Sequence, residues 1–288
     1  MRNALTIDLE DWYHPELVRP HLSHNEHKAQ IEVSTQALLS LLRSRSVKAT
    51  FFVVGEVAKR SPQLLRSIAD EGHELACHGM SHRTLWEMTP EQFRSELDEF
   101  AIVMNTTVPG AEVLGFRAPT FSLDNRTRWA LTVLASLGYH YDSSVFPLKT
   151  PLYGVGGCPL GPYRPSPDDI AVASRGGDES GTLLEFPMSV WSWAGLRLPV
   201  CGGFYLRALP LRLVLFCLRQ INRQRPFVIY VHPWEAYCGT PRISLPLLQR
   251  WVTYYNLQAV MPRLTALLDA FSFAPMRTVL QDMGKWNT

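Results

Sequence analysis

Ala49-Thr50-Phe51-Phe52-Val53-Val54, closed by Gly55, is an apolar, β-favouring run without polar alternation, the pattern of a strand covered on both faces. Such strands belong to parallel sheets flanked by helices, so this run sets the expectation for everything around it. Upstream, Ser34 to Arg45 places Ala37, Leu38, Leu41 and Leu42 on one helical stripe, and Leu5 to Leu9 reads as an earlier strand, which completes a βαβ unit. Downstream, Ser61-Pro62 gives an N-cap followed by proline at the first helical position, and Gly72 ends a predicted helix over Pro62 to Glu71. His73 to Cys77 is the next strand. Thr89-Pro90 with Gln92 starts a helix that turns Phe93, Leu97 and Phe100 inward, and Val113 to Phe116 follows as a strand. Asp124 to Leu137, closed by Gly138, is predicted to be helical. Later strands are expected at Leu184 to Met188, Phe227 to Val231 and Thr278 to Leu280, separated by helical patterns at Leu209 to Asn222 and Leu247 to Asp269. Between them, Pro147 to about Gly181 is rich in proline and glycine and has no period, a surface excursion over about 148–181 that either covers a cleft or decorates an edge.

The composition agrees with one large α/β core spanning residues 1–288. Apolar residues make up 46% of the chain and charged residues 19%, which excludes a disordered chain. Lys and Arg number 28 against 26 Asp and Glu, a formal net charge of +2, so nucleic-acid binding is not expected. Five widely spaced cysteines without a CxxC argue against a disulfide framework and against a cysteine-only zinc site. Asp8 interrupts the N-terminal apolar run before a signal-peptide core can form, and the most apolar later run, Leu213 to Leu218, is far too short to cross a bilayer. The chain therefore reads as cytoplasmic, or located at the inner face of a membrane.

Four strand ends carry polar groups. Asp8, Glu10 and Asp11 follow the first strand; taken alone, one would cap the next turn while the others face water. His78-Gly79-Met80-Ser81-His82 follows another strand, and histidines four apart on a helical face can hold one ion. Arg117, in Gly115-Phe116-Arg117-Ala118-Pro119, can pair with one of the acids. His232, in Val231-His232-Pro233-Trp234-Glu235, ends a further strand. Barrel active sites gather side chains from several C-terminal strand ends, which favours one site over four accidents. Two histidines and a carboxylate suit zinc, although cobalt, nickel and iron take the same donors. Cys77 should point away from His78, and His21, His24 and His27 read as a solvated stretch.

Taken in order, Asp8-Leu9-Glu10-Asp11-Trp12-Tyr13-His14, Thr50 to Val53, His78 to His82, Gly115 to Pro119 with Thr120-Phe121-Ser122, Tyr141-Asp142-Ser143-Ser144 and His232 to Glu235 resemble the NodB-homology polysaccharide deacetylases. The first motif and Cys201-Gly202-Gly203-Phe204-Tyr205-Leu206-Arg207 are most similar to the branch associated with exopolysaccharide clusters and exosortase systems. The resemblance implies a deformed (β/α) barrel of about seven strands and metal-dependent removal of N-acetyl groups from an amino sugar. It implies Asp8 as base, His78 and His82 as metal ligands with Glu10 or Asp11 as the third, Arg117 orienting the base and His232 as acid. The adjacent pair Glu10-Asp11 favours Asp11, an alignment that would unsettle the role of Asp8.

The chemistry is coherent without the family name. A divalent ion lowers the pKa of bound water towards about 7, Asp8 takes the proton, and His232 protonates the departing amine, which implies a bell-shaped pH profile. The backbone N–H of Thr120, after Pro119, is a candidate oxyanion donor. Trp12, Tyr13, Trp234, Phe204 and Tyr205 flank these motifs and are candidate sugar-stacking residues, although each taken singly reads first as core packing; Glu235 and Asp142 are candidate supporting groups. The expected partner is an N-acetylated glycan or its lipid-linked precursor. The rivals are hydrolysis of a small N-acetylated or cyclic amide and a catalytically silent carbohydrate-binding homologue.

Overall fold

The computed structural model describes residues 1–22, 28–174 and 183–286. His24 and His27, and the last part of the 148–181 excursion, lie outside the described residues. Along the chain run β1 (Asn3–Leu9), α1 (Ile31–Ser44), β2 (Thr50–Val53), α2 (Gly55–Arg60), α3 (Pro62–Asp70), β3 (Glu74–Cys77), α4 (Pro90–Thr107), β4 (Gly115–Phe116), α5 (Trp129–Ser136), β5 (Tyr141–Asp142) and β6 (Leu184–Glu185). They are followed by β7 (Val190–Trp193), β8 (Leu196–Pro199), α6 (Gly203–Ala208), α7 (Leu211–Asn222), β9 (Val228–Val231), α8 (Pro233–Ala236), α9 (Leu247–Tyr254), α10 (Val260–Ala270), β10 (Phe273–Ala274) and α11 (Met276–Asp282).

Seven strands lie side by side in the order β9-β1-β2-β3-β4-β5-β6, every pairing parallel, and the sheet curls into a deformed (β/α) barrel. The two-residue β10 joins β1 at Asn3 and Ala4, so β1 is bracketed by β2, β9 and β10. The period of two sends alternate residues into two cores. Leu5, Ile7, Leu9, Phe51, Val53, Leu75 and Cys77 face the helices, while Ala4, Phe52, Ala76, Tyr141, Val228 and Tyr230 fill the barrel. Asp8 falls on the inward set with Ala4 and Thr6, which aims its carboxylate at the mouth of the barrel. Next to β9, Gly202 lies so close that a Cβ there would stand 1.9 Å from the Tyr230 carbonyl oxygen; only glycine permits this approach.

The capping box at Thr89 and Gln92 is formed, and Phe93, Leu97 and Phe100 are buried. Several boundaries differ from the sequence reading. The helix expected from Asp124 begins only at Trp129, because Asp124 and Thr127 fold the preceding residues into a hydrogen-bonded turn. The pattern over 247–269 is two helices broken at Asn256, which adopts a left-handed conformation (φ 50°). Pro210 likewise separates α6 from α7. Thr278 to Leu280 is helical, within α11; the strand precedes it at β10, and the buried Val279 and Leu280 belong to an amphipathic turn. β7 and β8 form an antiparallel hairpin separate from the main sheet, which the sequence reading missed.

Candidate active site

Asp8 closes β1 beside a buried arginine. Arg117 Nη1 donates to Asp8 Oδ1 at 2.5 Å and to Thr6 Oγ1 at 2.8 Å, Nε donates to the Ser143 carbonyl, and the guanidinium lies 4.1 Å from the centre of the Phe52 ring. With four fixed contacts and no solvent exposure, the arginine sets the orientation of Asp8 and compensates its charge.

Glu10, His78 and His82 each contribute one ligand atom to a set lying within 4.8 Å of one another, all buried. The histidines do not share a helical face as the spacing suggested. The 78–82 segment is a loop whose turn is fixed by Gly79 (φ 77°), by the Gly79 and Met80 carbonyls accepting from Gly55 and Glu56, and by Glu96, which accepts from Met80 N, Ser81 N and Ser81 Oγ. His82 adopts φ 57°, which bends its ring back towards His78, 5.0 Å away.

This donor set fits a divalent ion. His78 Nδ1 bonds the Arg117 carbonyl at 2.8 Å. A carbonyl only accepts, so Nδ1 carries the proton and Nε2 keeps its lone pair. Burial lowers the His78 pKa to about 4, keeping the ring neutral. His82 Nε2 lies 2.5 Å from Glu10 Oε2, yet neither ring nitrogen of His82 has a well-formed hydrogen bond. A buried imidazole so placed is the kind of group a cation satisfies. Glu10 Oε1 accepts from Trp234 Nε1 at 3.0 Å. Burial pushes Glu10 up, but His82 and His232 outweigh it and hold the carboxylate well below its ordinary range.

Asp11 is placed elsewhere, contrary to the adjacent-pair alignment. Its Oδ2 accepts from Gln30 N and Ile31 N, and its Oδ1 from Trp12 N, so the carboxylate ties down the start of α1. Trp12 takes the packing role rather than the sugar-stacking one. Its indole N–H donates to the Lys28 carbonyl, and the ring packs with Tyr13, Val18 and Trp234 away from the cleft.

His232 ends β9 and faces the acids, with Nε2 3.8 Å from Asp8 Oδ2 and 3.6 Å from Glu10 Oε1. Nδ1 is 2.6 Å from Glu235 Oε2, and Glu235 Oε1 accepts from Arg207 Nε. Burial opposes the charged ring, but Glu235, Glu10 and Asp8 overcome it and raise His232 to about 9. Trp234 stacks on the imidazole at 5.3 Å. Arg207 is itself fixed by the Val252 and Tyr255 carbonyls. Neither Arg207 nor His14 carries a sequence signal for its place here beyond lying inside a motif. His14 Nδ1 accepts from Asp11 N, its ring lies 5.5 Å from His82, and burial lowers its pKa to about 3.

These groups open on a cleft of about 140 Å³ that Thr120, Leu152, Tyr153, Phe204 and Trp234 also line. Thr120 and Phe121 both have positive φ, at 57° and 51°, the backbone strain often stored beside reacting groups; Pro119 before them is buried. Leu152 and Tyr153 bring the 148–181 excursion to the cleft wall.

Residues 21–141 match the polysaccharide deacetylase family model, and residues 143–281 match a domain of unknown function, DUF3473. The first segment contains His78, His82 and Arg117; the second contains Arg207, His232 and Glu235. The chain is 32% identical over 98 residues to a peptidoglycan-N-acetylglucosamine deacetylase of Bacillus cereus, covering 33% of this chain and 35% of that one. It is 35% identical over 112 residues to a chitooligosaccharide deacetylase of Sinorhizobium fredii, covering 38% and 52%. It thus matches only about a third to a half of the length of these relatives. A Mycobacterium smegmatis structure assigned to the polysaccharide deacetylases superposes with a TM-score of 0.62 over 99% of this chain and 91% of that one, at 21% identity, a likeness of fold.

Proposed function

We propose that this chain is a divalent-metal-dependent hydrolase that removes N-acetyl groups from the amino sugars of a glycan. The observation that carries the reading is the convergence, at one barrel mouth, of Glu10, His78 and His82 with an arginine-held Asp8 and a charged His232. The family model matched by residues 21–141 and the two deacetylases similar to about a third of this chain support the substrate class.

Glu10, His78 and His82 would hold the ion, zinc first among the candidates, which supplies an acidified water and a Lewis acid for the amide carbonyl. Asp8, aligned by Arg117, accepts the proton of the attacking water. His232, held by Glu235 and Arg207, donates a proton to the departing amine; the neighbouring carboxylates, outweighing burial, keep the ring charged for that task. The Thr120 N–H, at the cleft wall, is the proposed donor to the oxyanion. Trp234 serves twice, orienting Glu10 and walling the cleft.

The DxED-W motif and the Cys201 to Arg207 segment support an exopolysaccharide or its lipid-linked precursor as the substrate, and cytoplasmic or inner-membrane-face action follows from that substrate. The test is metal content and acetate release for wild type and His78→Ala/His82→Ala. About one ion per chain, absent from the double variant, with metal-dependent acetate release from N-acetylated oligosaccharides, is expected. No metal in either protein after reconstitution would overturn the proposal.

A further inference from the structure

The near-zero net charge hides a strong asymmetry. From Phe186 to Trp234 the sequence contains no Asp, Glu or Lys and six arginines, Arg197, Arg207, Arg212, Arg219, Arg223 and Arg225. Three of these are engaged internally: Arg207 by Glu235, and Arg197 and Arg225 by backbone carbonyls. Arg212, Arg219 and Arg223 stand exposed on the outer face of α7, and among the described residues none has a carboxylate partner. Other surface arginines are mixed: Arg43, Arg45, Arg126 and Arg277 each pair with an acid, whereas Arg94, Arg128, Arg242 and Arg250 have no carboxylate partner among the described residues, so what distinguishes the α7 face is that its stretch of chain holds arginine and no acid.

The same face is apolar between its arginines. Leu213 and Phe216 are 37% and 49% exposed, and they lie one and four residues after Arg212. The β7–β8 hairpin packs against α7 through Trp191, whose ring is 6.3 Å from Phe216. Its two-residue turn, Ala194-Gly195 with both φ positive, is flanked by Trp193 at 68% and Leu196 at 63% exposure. Hairpin and helix thus present tryptophan, leucine and phenylalanine together with unpaired arginine.

We propose that the β7–β8 hairpin and the outer face of α7 dock this protein onto an anionic lipid bilayer. Uncompensated arginines are drawn to acidic headgroups, while Trp193, Leu196 and Phe216 enter the boundary between headgroup and acyl chain. A second copy of the chain is a poorer occupant, since two all-arginine faces repel. Nucleic acid would leave Leu196 and Leu213 in water. The contact is peripheral: among the described residues no helix is long and apolar enough to cross a membrane.

The test is flotation of the purified protein with phosphatidylcholine vesicles, with and without about one third phosphatidylglycerol. Binding should require the anionic lipid and weaken with salt. Arg219→Gln/Arg223→Gln should lower the partition coefficient roughly 25-fold, about fivefold per arginine, and Trp193→Ala/Leu196→Ala by at least about tenfold. Both variants change exposed groups remote from the cleft, so melting temperature and hydrolysis of a soluble substrate should hold. Equal binding to both vesicles, no binding to either, or indifference to both double variants would overturn the proposal. So would a dimer in sedimentation velocity that Trp193→Ala/Leu196→Ala dissociates, or equal capture by a soluble anionic polymer that this variant leaves unchanged. None of these outcomes bears on the metal site, so the hydrolase reading is tested separately.

Discussion

Two sets of buried carboxyls share this barrel and are driven in opposite directions. Glu10 and Glu235 lie in the cleft; burial pushes both up, but His82 and His232 pull Glu10 down, and His232 and Arg207 pull Glu235 down. Asp142 and Glu185 are cross-strand partners on β5 and β6. There burial pushes Asp142 up, and burial together with the Asp142 charge raises Glu185 well above its ordinary range. Among the described residues no ion pair is made by either carboxyl. Depth is the same in both places, so the neighbour decides the charge. The cleft keeps negative charge that can hold a cation, whereas the second pair is a brace driven towards its protonated form, tied to Ser144 and Val145.

The sharpest way to break this contrast is to neutralise one carboxylate of the reacting cleft, Asp8 beside Glu10, and one of the second pair. Asp8→Asn preserves shape and should lower acetate release by about 10²- to 10⁴-fold, measured as kcat/KM with metal content unchanged, while Asp142→Asn should leave turnover near wild type. Comparable losses in both would erase the distinction. Next in size, Arg117→Met strands Asp8 in the interior and should cost about 3–5 kcal/mol in urea unfolding; a cost below about 1 kcal/mol would show that the pair is not what compensates Asp8.

Much of this architecture was legible because period and capping are local signals. Phe51 and Phe52 announced a strand buried on both faces, and Thr89 with Gln92 announced a helix start. The strand-end residues Asp8, Arg117 and His232 were legible for a related reason: each follows an apolar run, and parallel strands deliver their ends to one mouth. The identity of the carboxylate beside the histidines was not legible. Glu10 and Asp11 are neighbours, and only the path of the chain after β1, which carries Asp11 to the first N–H groups of α1, separates them. Nor was the 78–82 loop, since spacing of four is ambiguous between a helix and a turn closed by His82 at positive φ. Arg207 was unreadable because its partner, Glu235, lies 28 residues away.

Two smaller effects sharpen the comparison further. Glu235→Gln removes the foremost group raising His232, so the histidine pKa should fall from about 9 towards the ordinary value of about 6.5, read by NMR titration of the metal-free protein; an unmoved value would shift the cause to Asp8 and Glu10. Glu185→Gln should act on stability alone. A carboxyl with a higher pKa folded than unfolded contributes stability that is full below the unfolded value of about 4.3 and is lost as the pH rises through the folded pKa. Wild type should therefore soften with rising pH, and Glu185→Gln, which has no proton to lose, should be the firmer of the two at neutral pH and above it. Parallel melting curves for the two proteins from about pH 5 to about pH 9 would contradict the protonated brace.

The bracketing of β1 bears on how the chain is made. β1 leaves the ribosome long before β9 and β10, and the bond from Phe227 N, at the head of β9, to the Asn3 side chain spans 224 residues. At about 5–20 residues per second, that leaves an apolar strand edge unpaired for on the order of 10 to 45 s. Nascent chains therefore carry a sticky, unfinished centre through most of synthesis, and a nonsense mutation anywhere before β9 yields a fragment that can be neither a catalyst nor a quiet bystander.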